Sequence, residues 1–269
     1  MTTKAVLVGL SPDLDSLATV TWAAEYAGRL HAPLRVVLAG TANAGPEASV
    51  RALDNTATTV RDRFPQLSLS ASVAEDDLTD VLLAAAGGAH VIVVDRDVRR
   101  HNVASAVAAE ATCPVAAVAP GASWDDEERP VLVGADGTDH SEQALRWAFA
   151  EADRLGVGVR VVHSQPHAPI GAKAAGQRNS VFDLMALFTG RYPAMSVQLQ
   201  TLTCAPAEAL SWHSKFASMV VIGHRERSLG GRIYRKVLHD AACPVVLAGP
   251  STSLDVALTA ASALNTVRS

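Results

Sequence analysis

Residues 131–148 read VLVGADGTDHSEQALRWA. Val131, Leu132 and Val133 make a short apolar run of the kind that forms a buried strand. The next five residues, Gly134-Ala135-Asp136-Gly137-Thr138, carry turn chemistry. Ala144, Leu145, Trp147 and Ala148 then fall on one side of a helix. A strand, a tight turn and a helix start are packed into one stretch. Asp136 stands just past the strand's C-terminal end, and in an open α/β sheet ligands bind in the crevice outside those ends.

Comparing the chain with itself shows the unit twice. With residues 6–23 laid on residues 131–148, Gly9 falls on Gly134, Ser16 on Ser141, Trp22 on Trp147 and Ala23 on Ala148. Further on, LRVVL from Leu34 matches VRVVH from Val159, and HVIVVD from His90 matches SMVVIG from Ser218. Last, ATCPVAAVAP from Ala111 matches AACPVVLAGP from Ala241. Four matches in the same order divide the chain into residues 1–120, residues 130–250 and a tail, 251–269. The joint GASWDDEERP, from Gly121, is polar and acidic and is expected to be a solvated linker.

In the second half strands are expected to start near Val131, Val159, Val197, Met219 and Val245. Their continuous apolar runs suit parallel strands buried on both faces, with helices as crossovers. Pro114 and Pro244 open the last strand of each half, where a missing N–H is tolerable. Between Ser164 and Pro193, Pro166, Pro169, Gly171 and Gly176 break the pattern before a helical stretch from Val181 to Phe188. In the tail, Leu254, Leu258, Ala261 and Leu264 have helix-like spacing. The preferred reading is a helix packing on the body; the other is a dimer arm that would make a homodimer.

The 269 residues are 49% apolar with a net charge of −4, which fits a globular α/β protein and gives no basic surface for nucleic acid. No apolar run approaches the ~18 residues of a membrane span. The start, MTTKAVLVGL, enters a strand directly, and no secretory signal is expected. Three scattered cysteines form neither a disulfide framework nor a CxxC metal pair. A cytoplasmic location is the expectation.

VLVGADGTDHSEQALRWA, VRVVH, APAEAL from Ala205, MVVIG and VLHDAACPVVLA resemble, in this order, the universal stress proteins, particularly their tandem actinobacterial members. The resemblance implies two Rossmann-like domains of the adenine nucleotide alpha hydrolase type, each a five-stranded parallel sheet in the order 3-2-1-4-5 flanked by helices. It also implies intramolecular pairing of the two last strands, residues 115–119 against 245–249. An apolar edge strand gives an independent physical motive for that pairing.

Many members bind ATP, and the resemblance places their site residue by residue. Asp136 matches the family's carboxylate, with Gly137 and Thr138 in its turn. Val162 and His163 lie at the adenine side. Gly223 matches the first phosphate glycine, and Gly230 and Gly231 open the last helix. Three departures stand out: Glu226 where a second glycine belongs, a shortened loop, and Arg232 in place of a serine or threonine. Glu226 repels a polyphosphate, whereas Arg232, with Arg225, Arg227 and Arg235 nearby, attracts one. The shorter loop leaves fewer N–H donors, favouring AMP or ADP over ATP. The site is either live in this form or a vestigial charged turn. In the first half Ser11 stands for Asp136, Asp95 for Gly223 and His101 for Gly231, and Asp95 and Asp97 lie where phosphates would go. No nucleotide is expected there.

The nine histidines include no HExxH motif, and no P-loop, GxSxG elbow or GxGxxG fingerprint occurs. No metal and no catalytic residue is assigned. Ser16 and Ser141 are expected to bond the starts of their helices, Trp22 and Trp147 to anchor the core, and Cys113 and Cys243 to fill buried space. The combined expectation is a non-enzymatic stress-response regulator that binds ATP, ADP or AMP in its second half. The alternatives are a nucleotide-free scaffold working through protein contacts and a weak ATP hydrolase.

Overall fold

The second-half strands begin at the five expected residues. The computed structural model describes residues 4–11, 16–39, 45–96, 103–122, 124, 128–165, 180–224 and 230–249. The first half runs β1 (Ala5–Leu10), α1 (Leu17–Arg29), β2 (Leu34–Ala39), α2 (Pro46–Arg63), β3 (Leu69–Ala74), α3 (Leu78–Ala85), β4 (Ala89–Asp95), α4 (Val103–Glu110), β5 (Val115–Val118). The second runs β6 (Val131–Gly134), α5 (Asp139–Leu155), β7 (Val159–Ser164), α6 (Val181–Arg191), β8 (Val197–Leu202), α7 (Pro206–His213), β9 (Met219–Gly223), α8 (Gly230–Asp240), β10 (Val245–Ala248). The tail and the segment holding Pro166 to Gly176 lie outside the described residues. Among the described residues no helix is long and apolar enough to cross a membrane.

Local chemistry fixes several helix ends. Thr138 caps α5, its hydroxyl accepting from the Ser141 N–H at 3.3 Å. Ser180 and Asp183 form a reciprocal capping box at the start of α6. Gly156 ends α5 at φ 70°. Its counterpart after α1 is His31, at φ 50°. A side chain in the left-handed region costs about 1–2 kcal/mol, partly offset because glycine loses more chain entropy on folding. His31→Gly is therefore expected to stabilise the protein by about 0.5–1 kcal/mol, seen as a higher urea midpoint at unchanged slope.

The strands form one ten-stranded sheet in the order β3-β2-β1-β4-β5-β10-β9-β6-β7-β8. Each half keeps the order 3-2-1-4-5. β5 and β10 pair antiparallel, with Val245 opposite Ala117, Val246 opposite Ala116 and Leu247 opposite Val115. The pairing of the two last strands that the resemblance implies joins the two five-stranded sheets into one continuous sheet. The residues of β5 and β10 are fully buried, so each covers an edge that would otherwise present apolar backbone to solvent.

Alternate strand residues feed two cores. Val6, Val8, Val131 and Val133 pack under α1, α2, α5 and α6; Leu7, Ile92, Leu132 and Val220 pack under α3, α4, α7 and α8. Both faces are covered, which is why the central strands are apolar without a break. The outer strands depart from that expectation. β8, VQLQTL, alternates, and β3 is largely exposed, because both lie at the edges of the sheet.

The linker is not simply solvated. Trp124 is half-buried, stacks on Trp22 at 5.3 Å and on Tyr26 at 5.7 Å, and its Nε1 donates to the Trp22 carbonyl at 3.3 Å. Arg29 lies over its ring at 4.9 Å. The aromatic ring ties the joint to α1, an outcome hidden by the acidic residues around it.

Candidate functional site

β6 has β7 on one side and β9 on the other, so chain connections diverge from its C-terminal end and leave a crevice. Asp136 lies at that end and is exposed. Its Oδ1 accepts from the Thr138 N–H at 3.0 Å and from the Thr138 hydroxyl at 2.6 Å. This closes an Asx turn, and Gly137 supplies the positive φ of 80° that the turn needs. Thr138 is thereby held as the cap of α5. Ser141 donates its hydroxyl to the Thr138 carbonyl at 2.9 Å, a bond at the helix start as its position implies.

Val162 and His163 bring the end of β7 to the same place. The Val162 carbonyl accepts from the Ala135 N–H at 3.0 Å. His163 is buried; its Nδ1 bonds the Ala135 carbonyl at 2.8 Å, and its Nε2 lies 2.8 Å from Gln165 Nε2. The imidazole fixes the ends of β6 and β7 together and faces the crevice mouth through Gln165, a residue the sequence did not single out.

Gly223 ends β9 against α5. A Cβ there would sit 2.4 Å from the His140 carbonyl oxygen and 2.6 Å from its carbon. The glycine is required by the close approach of the first turn of α5, a packing reason distinct from phosphate contact. Gly230, Gly231 and Arg232 form the first turn of α8. That helix is held over the end of β9 by the edge-on contact of Tyr234 with the buried His224, at 5.2 Å. The loop carrying Arg225, Glu226 and Arg227 lies outside the described residues. Asp136, Gly137, Thr138, Val162, His163 and Gly223 thus lie at or just beyond the C-terminal ends of the neighbouring strands β6, β7 and β9.

The same crevice in the first half is built differently. Asp95, at the end of β4, accepts from the Ser16 hydroxyl at 2.6 Å and the Thr19 hydroxyl at 2.5 Å. Ser16 therefore does not cap α1 with its side chain, as its position suggested; its hydroxyl is drawn to the carboxylate. A carboxylate is thus fixed at the start of α1, and its charge disfavours an anion nearby. Asp97 and His101 fall outside the described residues.

Cys113 and Cys243 are buried, and burial pushes both thiols up to about 12, which keeps them protonated and unreactive. Cys204 is exposed. Among the described residues no group of three or more His, Cys, Asp or Glu side chains could hold a metal ion.

One polar cluster was invisible in the sequence. Glu151 on α5 is fully buried and accepts from Tyr26 Oη of α1 at 2.5 Å. It also pairs with His90 Nε2 of β4 at 3.0 Å and with Arg154 Nη1 at 3.2 Å. Its partners come from both halves, and no local motif marks it.

Comparison with known proteins agrees with this fold. The model of the universal stress protein family matches residues 128–187. A universal stress protein of Mycobacterium tuberculosis (strain ATCC 25618 / H37Rv) is 34% identical over 169 residues, 56% of this chain and 56% of that protein, so the match spans about half its length. One from Mycolicibacterium smegmatis is 26% identical over 288 residues, covering 93% of this chain and 98% of that protein. The crystal structure of a universal stress protein from Archaeoglobus fulgidus DSM 4304 shares the fold, with a TM-score of 0.65 and 15% identity over 90% of this chain and 96% of that one.

Proposed function

We propose that the chain, similar to the universal stress protein family over residues 128–187 and to a relative that spans nearly its whole length, is a non-enzymatic regulator that binds an adenine nucleotide in its second half alone. The observation that carries the reading is the bond of His163 Nδ1 to the Ala135 carbonyl, which sets the end of β7 beside the Asx turn of Asp136 at the C-terminal ends of the strands. The ribose hydroxyls are assigned to Asp136, whose exposed carboxylate is oriented by Thr138. The backbone at Val162 and His163 borders the base. The phosphate lies at the N-terminus of α8, where unpaired N–H groups and the helix dipole favour an anion. Arg232 adds positive charge, and Glu226 disfavours a long phosphate chain. AMP or ADP is therefore preferred to ATP. In the first half the fixed Asp95 carboxylate disfavours an anion, and no nucleotide binds.

The test is to denature the purified protein and chromatograph what it releases, then to measure thermal shifts with AMP, ADP and ATP. Near-stoichiometric adenine nucleotide, with affinity at least tenfold weaker in Asp136→Ala, supports the reading. A Tm that stays within error for all three nucleotides, with nothing released, favours the scaffold working through protein contacts, the reading to which Glu226 points. Slow ATP hydrolysis abolished by Asp136→Ala would make the chain an enzyme.

A further inference from the structure

The two halves build one local structure from two different sequences. α3 and α7 are each eight residues long and each run directly into a 3₁₀ turn, Ala86–Gly88 in the first half and Ser214–Phe216 in the second. Leu82 and Leu210 are buried at equivalent places, as are Ala86 and Ser214, and Ala89 and Ala217 close the two turns. The outward positions differ. Where the first half has Ala84, Ala85, Gly87 and Gly88, the second has Trp212, His213, Lys215 and Phe216. The turn therefore forms without any large side chain at these places, and the fold does not account for the two aromatic rings.

Those rings form a patch. Trp212 is 57% and Phe216 50% exposed, their centroids lie 5.3 Å apart, and His213 meets the Trp212 ring edge-on at 5.0 Å. Leaving two large rings in water costs free energy that a partner recovers by covering them. Lys215, also exposed, stands between them in sequence. Arg160 of β7 adds a second cation: burial, then the Arg160 charge, holds the His213 imidazole below its ordinary 6.5. The Arg160 guanidinium bonds the Gln198 amide oxygen at 3.3 Å. Glu208, one turn before Trp212, acts on Lys236, which itself pairs with Asp240 at 2.8 Å. Among the described residues no carboxylate forms an ion pair with Lys215 or Arg160. The patch is at the opposite end of the sheet from Asp136, since Phe216 precedes β9, Asp136 follows β6, and the two strands are parallel.

We propose that Trp212, Phe216 and Lys215 dock a short acidic peptide segment of another protein, with a leucine or aromatic side chain laid on the two rings and flanking carboxylates at Lys215 and Arg160. Charge selects the occupant: two cations without a carboxylate, beside exposed rings, complement an acidic segment that carries an apolar anchor. Area selects its size. Two half-exposed rings offer roughly 200–250 Å², far below the ~800 Å² that each partner contributes to a stable interface. A short segment meets that area, whereas a second copy of the chain would need a much larger face. Tryptophan is also among the residues on which interface energy concentrates.

Selection from a phage-displayed library of random heptapeptides tests this on the full chain without nucleotide, so the result stands whether or not one binds at Asp136. The baits are wild type, Trp212→Ala/Phe216→Gly and Lys215→Glu. The double variant copies the first half's residues at these places and is expected to fold, with a Tm within about 2 °C of wild type. Wild type is expected to enrich peptides in which a leucine or phenylalanine is flanked by aspartate or glutamate. A selected peptide free of tryptophan is then expected to shield Trp212 from acrylamide quenching, a clean signal because Trp22 and Trp147 are buried. Its affinity is expected to be roughly fivefold weaker or more in Lys215→Glu, and lost in the double variant. No enrichment above the double variant overturns the proposal, as does enrichment of basic peptides or equal affinity in Lys215→Glu and wild type. Shielding of Trp212 by an octathymidylate and not by acidic peptides assigns the rings to single-stranded nucleic acid and overturns it. Shielding that grows with protein concentration alone assigns them to a second copy and overturns it too.

Discussion

Glu151→Ala is expected to lower stability by about 3–5 kcal/mol, among the largest effects of any single substitution in this chain. Its carboxylate is fully buried and receives Tyr26 Oη, His90 Nε2 and Arg154 Nη1 at 2.5, 3.0 and 3.2 Å. Removing it leaves two first-half donors in an apolar layer between Trp22 and Trp147, where water cannot replace the lost acceptor. Urea unfolding reads the loss directly, and a fall in Tm on the order of 10 °C should accompany it. Tyr26→Phe removes one donor and leaves the charge paired, so about 1–3 kcal/mol is expected. A Glu151→Ala protein within about 1 kcal/mol of wild type would mean that the cluster does not hold the halves together.

The same carboxyl sets a pH dependence. Burial alone pushes Glu151 up, but the hydrogen bond and charge of His90, the Tyr26 hydroxyl and Arg154 outweigh it and hold the group below its ordinary value of 4.5. Burial, then the charge of Glu151, pushes the Tyr26 phenol well above its ordinary range, so it stays a donor. A folded pKa below the unfolded one gives stability that is fully present above 4.5 and is lost as pH falls through the folded value. Wild type is expected to lose stability in acid through this group, and Glu151→Ala to show a flatter profile over the same range. Identical profiles for the two proteins would remove Glu151 as the cause.

Gly223→Val is expected to cost about 3 kcal/mol whether or not a nucleotide binds. The added Cβ would lie 2.4 Å from the His140 oxygen and 2.6 Å from its carbon, both backbone atoms in the first turn of α5. Backbone cannot rotate aside as a flexible side chain can, so α5 must shift and take the Thr138 cap and the Asp136 turn with it. Gly87→Ala is the control: its methyl meets nothing within 4 Å, and a change below about 0.5 kcal/mol is expected. Loss of ligand in Gly223→Val would therefore say little about phosphate contact, and Asp136→Ala is the sharper probe of the site. Equal urea midpoints for Gly223→Val and wild type would show that α5 tolerates the displacement.

Much of the architecture was legible residue by residue. Val131, Val159, Val197, Met219 and Val245 open strands because continuous apolar runs between turn residues have few other stable fates in a chain with two covered faces. The repeat of Trp22 at Trp147 and of Cys-Pro before β5 and β10 exposed the duplication, since both copies solve the same local packing problem. Asp136, Gly137 and Thr138 were singled out by their place just past a strand end and by the family resemblance, and the Asx turn they form is a contact between neighbours in sequence.

What remained hidden was set by contacts between residues far apart in the chain. Tyr26 meets Glu151 across 125 positions and His90 meets it across 61, distances over which no periodicity or motif reports. Gly223 matches a phosphate glycine through its sequence neighbours, while the packing contact that also requires a glycine there, with His140, lies on another element. Trp124 sat in an acidic stretch that read as solvated until α1 supplied two rings to stack on. The sequence by itself determined the strands, the helices and their twofold repetition, because those follow from short-range pattern. Only the tertiary structure decided which polar groups meet in the interior and in what register β5 and β10 join, because those depend on where the folded chain brings distant residues together.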